Sequence, residues 1–359
     1  MLTAVLATVL LSACSLIDDT LGECGYNDAQ DYKLNYELRL VTNMTTELHT
    51  QLGLETDVSL SAALKEHLSG IFTDYAHDVD LSFYDTQGDS VRLQHDQHIM
   101  NANQQSYTLY LPMREYMHLA VANVVDNPVV NLTNDERCHP SRLNTVIGTV
   151  ATGSVADTIA SHNTGVFTAR LPMQVLEGID QTFNVRLYMA NCAVALVIDP
   201  REYDYKNIRV FSTGFASQFN ICDSSFVFAD RPPIVRAEKV EAPDENMICF
   251  ATVNFPSKEP SATEATSAPW LTRSVIETLE PFISLPDKEV LWKLLVYITN
   301  ADGTITETIL SIHQPLRAGQ LKIIKGWIGG DGDVKTQDQT VGVNVTLDWH
   351  EGGHYEHEL

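Results

Sequence analysis

The stretch YKLNYELRL, at residues 32–40, alternates apolar and polar side chains without a break. The apolar side chains stand at the even positions, from Tyr32 to Leu40, and polar ones fill the odd positions between them. Successive side chains of a β-strand point to opposite faces of its sheet, so this period of two is typical of a half-buried strand. The fold class depends on how often the same signal returns.

Strand signals return throughout the chain as short β-branched or aromatic runs separated by turn-forming residues. In the first half they lie at 79–84, 91–93, 107–111 and 116–122. In the second half they lie at 182–189, 192–198, 208–212, 247–255, 291–299, 305–312, 321–328 and 341–349, with hairpin turns expected at 300–303 and 329–333. Residues 60–72 instead carry apolar side chains at helical spacing. The sequence predicts a mainly-β fold of two β-sandwich domains with a short helix in the first.

Length and charge set further bounds. With 359 residues the chain is long enough for two domains of ordinary size. The stretch 123–162 is polar and rich in Gly, Ser and Thr, so we expect domains at 14–163 and 164–359. The formal net charge of −24, from 47 acidic and 23 basic residues, would repel a phosphate backbone. Nucleic acid is therefore excluded as a partner.

The N-terminus has the form of a bacterial lipoprotein signal. A short apolar run at 2–13 leads into Leu11-Ser12-Ala13-Cys14, with a small residue before the cysteine. This arrangement predicts a signal peptide at 1–13 and a mature chain that begins at a lipidated Cys14. The run is too short to span a bilayer, which needs about 20 residues. We expect attachment through acyl chains on Cys14, each buried methylene contributing about 0.8 kcal/mol.

The remaining cysteines leave the disulfide pattern open. If Cys14 is lipidated, five of the six cysteines remain in an oxidising compartment, so at most two disulfides form. Sequence proximity and the domain boundary favour Cys222 with Cys249 and Cys24 with Cys138. No Cys-x-x-Cys motif supports a zinc ribbon or a redox pair.

Catalytic motifs give no support for an enzyme. The tail His350-Glu351-Gly352-Gly353-His354 matches the zincin pattern, but its glycine pair disfavours the helix that zinc binding by both histidines needs. The sequence has no nucleophile elbow, P-loop or Rossmann fingerprint. We expect no catalytic residue, no metal site and no cofactor.

The last strand signal of the chain alternates without a break over nine residues. Its apolar side chains are Val341, Val343, Val345, Leu347 and Trp349. Such a strand can close its own sheet, or it can be donated to a groove in a neighbouring subunit, where main-chain hydrogen bonds supply affinity. The sequence leaves both alternatives open.

The combination of these features resembles the fimbrillin-associated anchor lipoproteins of Bacteroidales-type fimbriae. The resemblance runs from Cys14 to about Trp349 and is one of order and spacing. Its carriers are Cys14, Asp18-Asp19, Leu21, Cys24, Leu34-Asn35-Tyr36, 108–112, 116–123, Val166-Phe167, 183–187, Val341-Gly342-Val343 and Asp348-Trp349. The resemblance implies two transthyretin-like β-sandwiches in tandem and a cell-surface lipoprotein that fixes the fimbrial shaft to the outer membrane.

The resemblance also implies a mode of assembly. Shaft subunits of such systems lose an N-terminal strand to an arginine-specific protease, and the groove left behind takes a C-terminal donor strand from the next subunit. An anchor should keep its N-terminal strand, and here Arg39 lies inside that strand with no arginine between it and Cys14. The expected partners are fimbrial shaft subunits and, through acylated Cys14, outer-membrane lipid. The alternatives are a surface glycan-binding lipoprotein of a nutrient-uptake system and a fimbrial tip adhesin.

Overall fold

A computed structural model describes most of the chain outside its two termini. The described residues are 31–42, 44, 48, 50, 51, 58–73, 76–86, 92–100, 104–124, 130–135, 142–147, 158–162, 164–178, 180–220, 224–241, 246–260 and 289–346. Strands dominate them, and the mainly-β sandwich expected from the alternation is confirmed. The predicted helix is present as α1 (Val58–His67), followed by a turn to Ile71 rather than by further helix.

The first sheet has seven strands. In spatial order they are β3 (Arg92–Met100), β2 (Asp78–Asp85), β5 (Glu115–Ala122), β9 (Phe167–Gln174), β10 (Gln181–Met189), β1 (Asp31–Val41) and β4 (Ser106–Pro112). Strands β9 and β10 are joined at only two residue pairs, Tyr188 with Thr168 and Met189 with Phe167. This narrow junction divides the sheet into two layers, and the buried faces of both layers contribute to one core.

Three further sheets involve the second half of the chain. The five-stranded sheet has the order β16 (Glu238–Val240), β17 (Ile248–Asn254), β11 (Cys192–Asp199), β20 (Leu321–Ile328) and β21 (Val334–Thr336). The six-stranded sheet has the order β22 (Val341–Thr346), β19 (Ile305–Ile312), β18 (Trp292–Asn300), β12 (Tyr205–Thr213), β15 (Ile234–Arg236) and β8 (Thr158–Ile159). The four-stranded sheet has the order β14 (Ser225–Val227), β13 (Gln218–Asn220), β7 (Arg142–Ile147) and β6 (Val130–Asp135).

Strand β11 lies between two cores. Its residues from Cys192 to Ile198 are buried without a break, as expected of a strand covered on both faces and paired in parallel with a neighbour, here β20. The even positions, such as Val194 and Leu196, pack toward the six-stranded sheet. The odd positions, such as Ala193 and Val197, join the core of the first sheet and α1.

The two halves of the chain interleave. Strands β9 and β10 follow the predicted boundary at residue 163, yet they lie between β5 and β1 in the first sheet. The polar stretch 123–162, expected as a link, contains β6, β7 and β8. Of these, β7 and β8 pair with strands of the second half, and β6 pairs with β7. We therefore propose that the first domain ends and the second begins at Ala190-Asn191. Residues 130–159 precede this boundary in the sequence but belong to the second domain.

Candidate functional site

The C-terminal strand β22 lies at the edge of the six-stranded sheet and pairs with β19. The antiparallel ladder runs from Val341 opposite Ile312 to Thr346 opposite Glu307. No other strand in the described part of the chain lies along the second side of β22. The N–H and C=O groups on that side form a row of the kind that accepts another strand.

The valines of β22 lie on the side of the sheet that faces the core. Val343 is opposite Leu310, which is wholly buried, so the two side chains share a face. Nevertheless Val343 is 37% exposed and Val345 is 40% exposed. The facing sheet ends in the three-residue strand β21. The apolar face of β22 therefore extends beyond the cover that its own sandwich provides.

The turn before β22 is fixed by a small polar network. The carboxylate of Asp338 lies 2.7 Å from Nζ of Lys322 and accepts hydrogen bonds from the backbone N–H of Thr340 at 2.9 Å and from its hydroxyl at 2.6 Å. Burial acts to raise the pKa of Asp338, but the hydrogen bonds from Lys322 and Thr340 outweigh it and hold that pKa below its ordinary value. The start of β22 is thus held more firmly than the strand itself.

The N-terminal strand β1 occupies the opposite kind of position. It lies inside the first sheet, parallel to β10 on one side and antiparallel to β4 on the other. Leu34, Tyr36 and Leu38 are 0%, 0% and 3% exposed and point into the core. Arg39 lies within this strand, not in a loop after it. A strand held on both sides in this way is part of the finished sandwich.

A buried hydrogen-bond chain ties β1 to the far layer of the same sandwich. Nδ1 of His118 lies 3.0 Å from the carbonyl oxygen of Ser82, and Nε2 lies 2.8 Å from the hydroxyl of Tyr36. Because the carbonyl can only accept, Nδ1 carries the proton and Nε2 accepts from Tyr36. Burial lowers the pKa of His118 to about 4, against the opposing effect of the Ser82 hydrogen bond. The imidazole is therefore neutral at pH 7.

Several predicted site residues lie outside the described residues: Cys14, Cys24, Cys138, Cys222, Leu347, Trp349 and the histidine-rich tail at 350–357. Cys249 is described, and it bears a free thiol in the core, whereas its expected partner Cys222 lies outside the described residues. Cys192 also bears a free thiol. These two residues cannot pair with each other, because the β11–β17 register sets Cys249 opposite Val197, five positions from Cys192.

Two tryptophans, Trp292 and Trp327, lie among the described residues. Trp292 is buried, with its indole N–H donating to the carbonyl of Gln314 at 2.9 Å. The guanidinium of Arg201 covers the ring of Trp327 at 4.6 Å. Trp292 therefore offers no open ring face and one face of Trp327 is covered, and the described residues contain no group of three metal-ligating side chains. Within the same residues no helix is long and apolar enough to cross a membrane.

Sequence reasoning missed a row of arginines. Arg39, Arg186 and Arg170 lie on the adjacent strands β1, β10 and β9, and each is exposed on the outer face. Arg39 pairs directly with Arg186, whereas Arg170 and Arg186 each lie two residues beyond the last β9–β10 pair, which joins Thr168 to Tyr188. The sequence did show that Arg39 and Arg186 each stand at a polar position of an alternating strand, and such positions face outward. The strand order that brings the three together could not be deduced from the sequence.

Comparison with known proteins gives matches among solved structures. No family model and no curated protein matches the sequence. The fimbrial anchor protein Mfa2 from Porphyromonas gingivalis matches with a TM-score of 0.43 and 10% identity, over 89% of this chain and 100% of that one. The tip fimbrial protein Mfa3 of the same organism, truncated at its C-terminus, matches with a TM-score of 0.40, 10% identity, and coverage of 89% and 100%.

A candidate adhesin from Bacteroides ovatus matches with a TM-score of 0.49 and 10% identity, over 91% of this chain and 97% of that one. At this identity the likeness is one of fold. The structural neighbours of this chain therefore include a fimbrial anchor protein, a fimbrial tip protein and candidate adhesins.

Proposed function

We propose that this chain is a non-enzymatic cell-surface lipoprotein that fixes a fimbrium to the outer membrane. Lipid on Cys14 provides the membrane attachment, and the C-terminal strand provides the attachment to a shaft subunit. The observation that carries the proposal is the contrast between the strands at the two ends of the chain. β1 is enclosed on both sides, whereas β22 is an edge strand with a partly uncovered apolar face.

This contrast suits a subunit at the base of a polymer. A base subunit has no earlier neighbour to complete its sheet, so it needs its own N-terminal strand in place. It does need one surface that reaches the next subunit. The alternating valines of β22 are the kind of side chains that fill successive pockets of a groove, while the main chain supplies the hydrogen bonds.

The membrane attachment has a direct test. Changing Cys14→Ala removes the thiol that carries the lipid, and we expect the protein to disappear from the outer-membrane fraction. Labelled palmitate incorporation and fractionation measure this change. Unchanged membrane retention would contradict the lipoprotein assignment.

Charge on the apolar face of β22 tests the assembly. In the double variant Val343→Asp with Val345→Asp, we expect fimbriae to be shed into the medium, because each large apolar side chain buried in the partner contributes about 1.5–3 kcal/mol. The anchor itself should stay folded, since both side chains are more than a third exposed. Asn344→Asp is the control, because it places one such charge on the opposite face of the same strand.

Two measurements separate the possible outcomes: the amount of shed fimbriae and the thermal melting of the purified chain without its lipid. A variant that misfolds would mean that the valines serve the protein's own core. A variant that stays folded and still holds its fimbriae would contradict any role of β22 in assembly, and the tip-adhesin and glycan-binding alternatives would then be favoured.

A disulfide lock distinguishes donation of β22 from simple addition of a partner strand to its edge. The N–H of His313 donates to the carbonyl of Thr340 at 3.2 Å, so these two residues form a hydrogen-bonded pair of the ladder. Hydrogen-bonded and non-hydrogen-bonded pairs alternate along an antiparallel ladder. Leu310 and Val343 lie three positions further along and are therefore a non-hydrogen-bonded pair. Such pairs are the closer ones, which suits a disulfide. If β22 is donated, Leu310→Cys with Val343→Cys should lose capture of shaft subunits on oxidation and regain it on reduction. Capture that survives oxidation, with Val343→Cys as the control, would contradict donation.

A further inference from the structure

The row of Arg39, Arg186 and Arg170 should lower the stability of the free protein, because its positive charges repel one another. Like charges directly opposite each other on adjacent strands destabilise a sheet, and Arg39 and Arg186 are such a pair. Among the described residues, the side chains of the three arginines form no hydrogen bond and no ion pair. Glu37 shares their face, two residues before Arg39 and opposite Asn184, and likewise forms no ion pair with them. In a chain of net charge −24 this is an unusual local excess of positive charge.

A cavity lies where the row meets the gap between β9 and β10. Its volume is about 500 Å³, within the range of small-molecule sites. Arg170 and Arg186 both line it, and its described lining contains no acidic residue. The gap exists because β9 and β10 pair only at their ends, so that their outer faces diverge beside the hairpin of β13 and β14.

The lining combines charge, hydrogen-bonding groups and aromatic rings. Asn184 and Thr168 contribute an amide and a hydroxyl. The ring of Tyr188 is 56% exposed at the cavity, and Phe226 from β14 stands in the same lining. A guanidinium binds a carboxylate through two parallel hydrogen bonds, and an exposed aromatic ring offers apolar area to the C–H face of a sugar ring.

We propose that this cavity binds a carboxylated sugar, with Arg170 and Arg186 holding the carboxylate and Tyr188 packing against the sugar ring. The volume favours a unit of one or two sugar rings over a polypeptide segment. A long polyanion is disfavoured, because the net charge of the whole chain would repel it. This binding activity is separate from fimbrial attachment through β22 and does not depend on it.

The test measures binding of sialyllactose and digalacturonate to the chain without its lipid, with lactose and digalactose as the neutral counterparts. We expect at least one acidic sugar to bind at least tenfold more tightly than its counterpart, and more weakly as salt concentration rises. Arg170→Gln and Arg186→Gln should each raise its Kd at least tenfold. Arg236→Gln, which changes an exposed arginine on β15 away from the cavity, should leave it unchanged.

Melting temperature provides the second readout. Neither cavity arginine has a described partner to lose, so both variants should melt at or above the temperature of the parent chain, because repulsion within the row is relieved. The proposal would be overturned if neither acidic sugar binds, if the neutral counterparts bind equally well, or if the two arginine variants bind normally. It would also be overturned if hexaglutamate bound more tightly than both acidic sugars, since the site would then be one for acidic peptides.

Discussion

The strands at the two ends of the described chain have almost the same alternating pattern but opposite positions in the fold. β1 is enclosed between β10 and β4, and its inward side chains are essentially inaccessible to water. β22 has a single neighbouring strand, and two of its inward valines remain over a third exposed. Alternation therefore indicates which side chains share a face, but it does not indicate whether that face is covered.

The largest expected difference between the two strands is in the cost of truncating an inward side chain. Leu34→Ala in β1 should lower the free energy of unfolding by about 2–5 kcal/mol, as for other buried leucines. Val345→Ala in β22 should lower it by at most about 1 kcal/mol, since that valine is 40% exposed. Urea denaturation of both variants measures the difference. Equal losses would mean that β22 is as well covered as β1.

Acid should weaken the fold through two buried histidines, one of which bonds to β1, before it affects the turn that holds β22. Burial lowers the pKa of His118 to about 4 and that of His162 to about 3, from the ordinary value of 6.5. Both groups are neutral above 6.5 in either state, so their contribution is complete there. Below pH 6.5 these histidines become protonated in the unfolded chain but stay neutral in the folded chain. The free energy of unfolding therefore falls as pH decreases from 6.5 toward 4, by about 1.4 kcal/mol per pH unit for each group.

Asp338 follows the opposite rule, because its pKa is lowered relative to 3.8. Its contribution is complete above that value and is lost only as pH falls through the lower folded pKa. Urea denaturation at pH 7 and pH 4.5 tests the histidine effect. The double variant Tyr36→Phe with His118→Phe removes both ends of one hydrogen bond and should reduce the dependence on pH. An unchanged dependence would show that His118 is not its source.

The smallest expected effect concerns the turn before β22. Asp338→Asn removes the charge that faces Lys322, and because this pair is about one-fifth exposed, the loss of global stability should be about 1 kcal/mol or less. The local effect should be clearer: amide hydrogen exchange in β22 should accelerate while that in β1 stays the same. Lys335→Gln is a suitable control, because Lys335 pairs with Asp333 across the β20–β21 turn. Unaltered exchange in β22 would mean that the turn does not hold the strand.

Prediction from the sequence was most successful for strands whose alternation can be recognised without knowing their neighbours in the sheet. The expected strand at 305–312 matches β19 residue for residue, and the turn at 300–303 is present, with Gly303 at a φ of 93°. β9 was missed because Pro172 and the exposed Arg170 interrupt its alternation. β13 to β16 are only three residues long, which is too short for a periodic signal.

Features that depend on pairing between distant strands could not be predicted. The alternation of Val341, Val343 and Val345 predicted β22, but its edge position depends on the strand order of the six-stranded sheet, and the exposure of its apolar face depends on where the facing sheet ends at β21. The arginine row likewise exists only because β1 lies parallel to β10, with Leu34 opposite Gln181. The depth of Cys249 in the core is likewise set by the pairing of β17, and the spacing between cysteines does not reveal it.

The interleaving of the two halves also sets the order in which the chain can fold. β1 cannot find its parallel neighbour until Gln181–Met189 has been synthesised, and β7 and β8 must wait for strands beyond residue 217. Contacts this distant along the chain make folding slow. For a chain that is exported as we propose, this delay would be useful, because the chain would stay unfolded for longer and remain open to export.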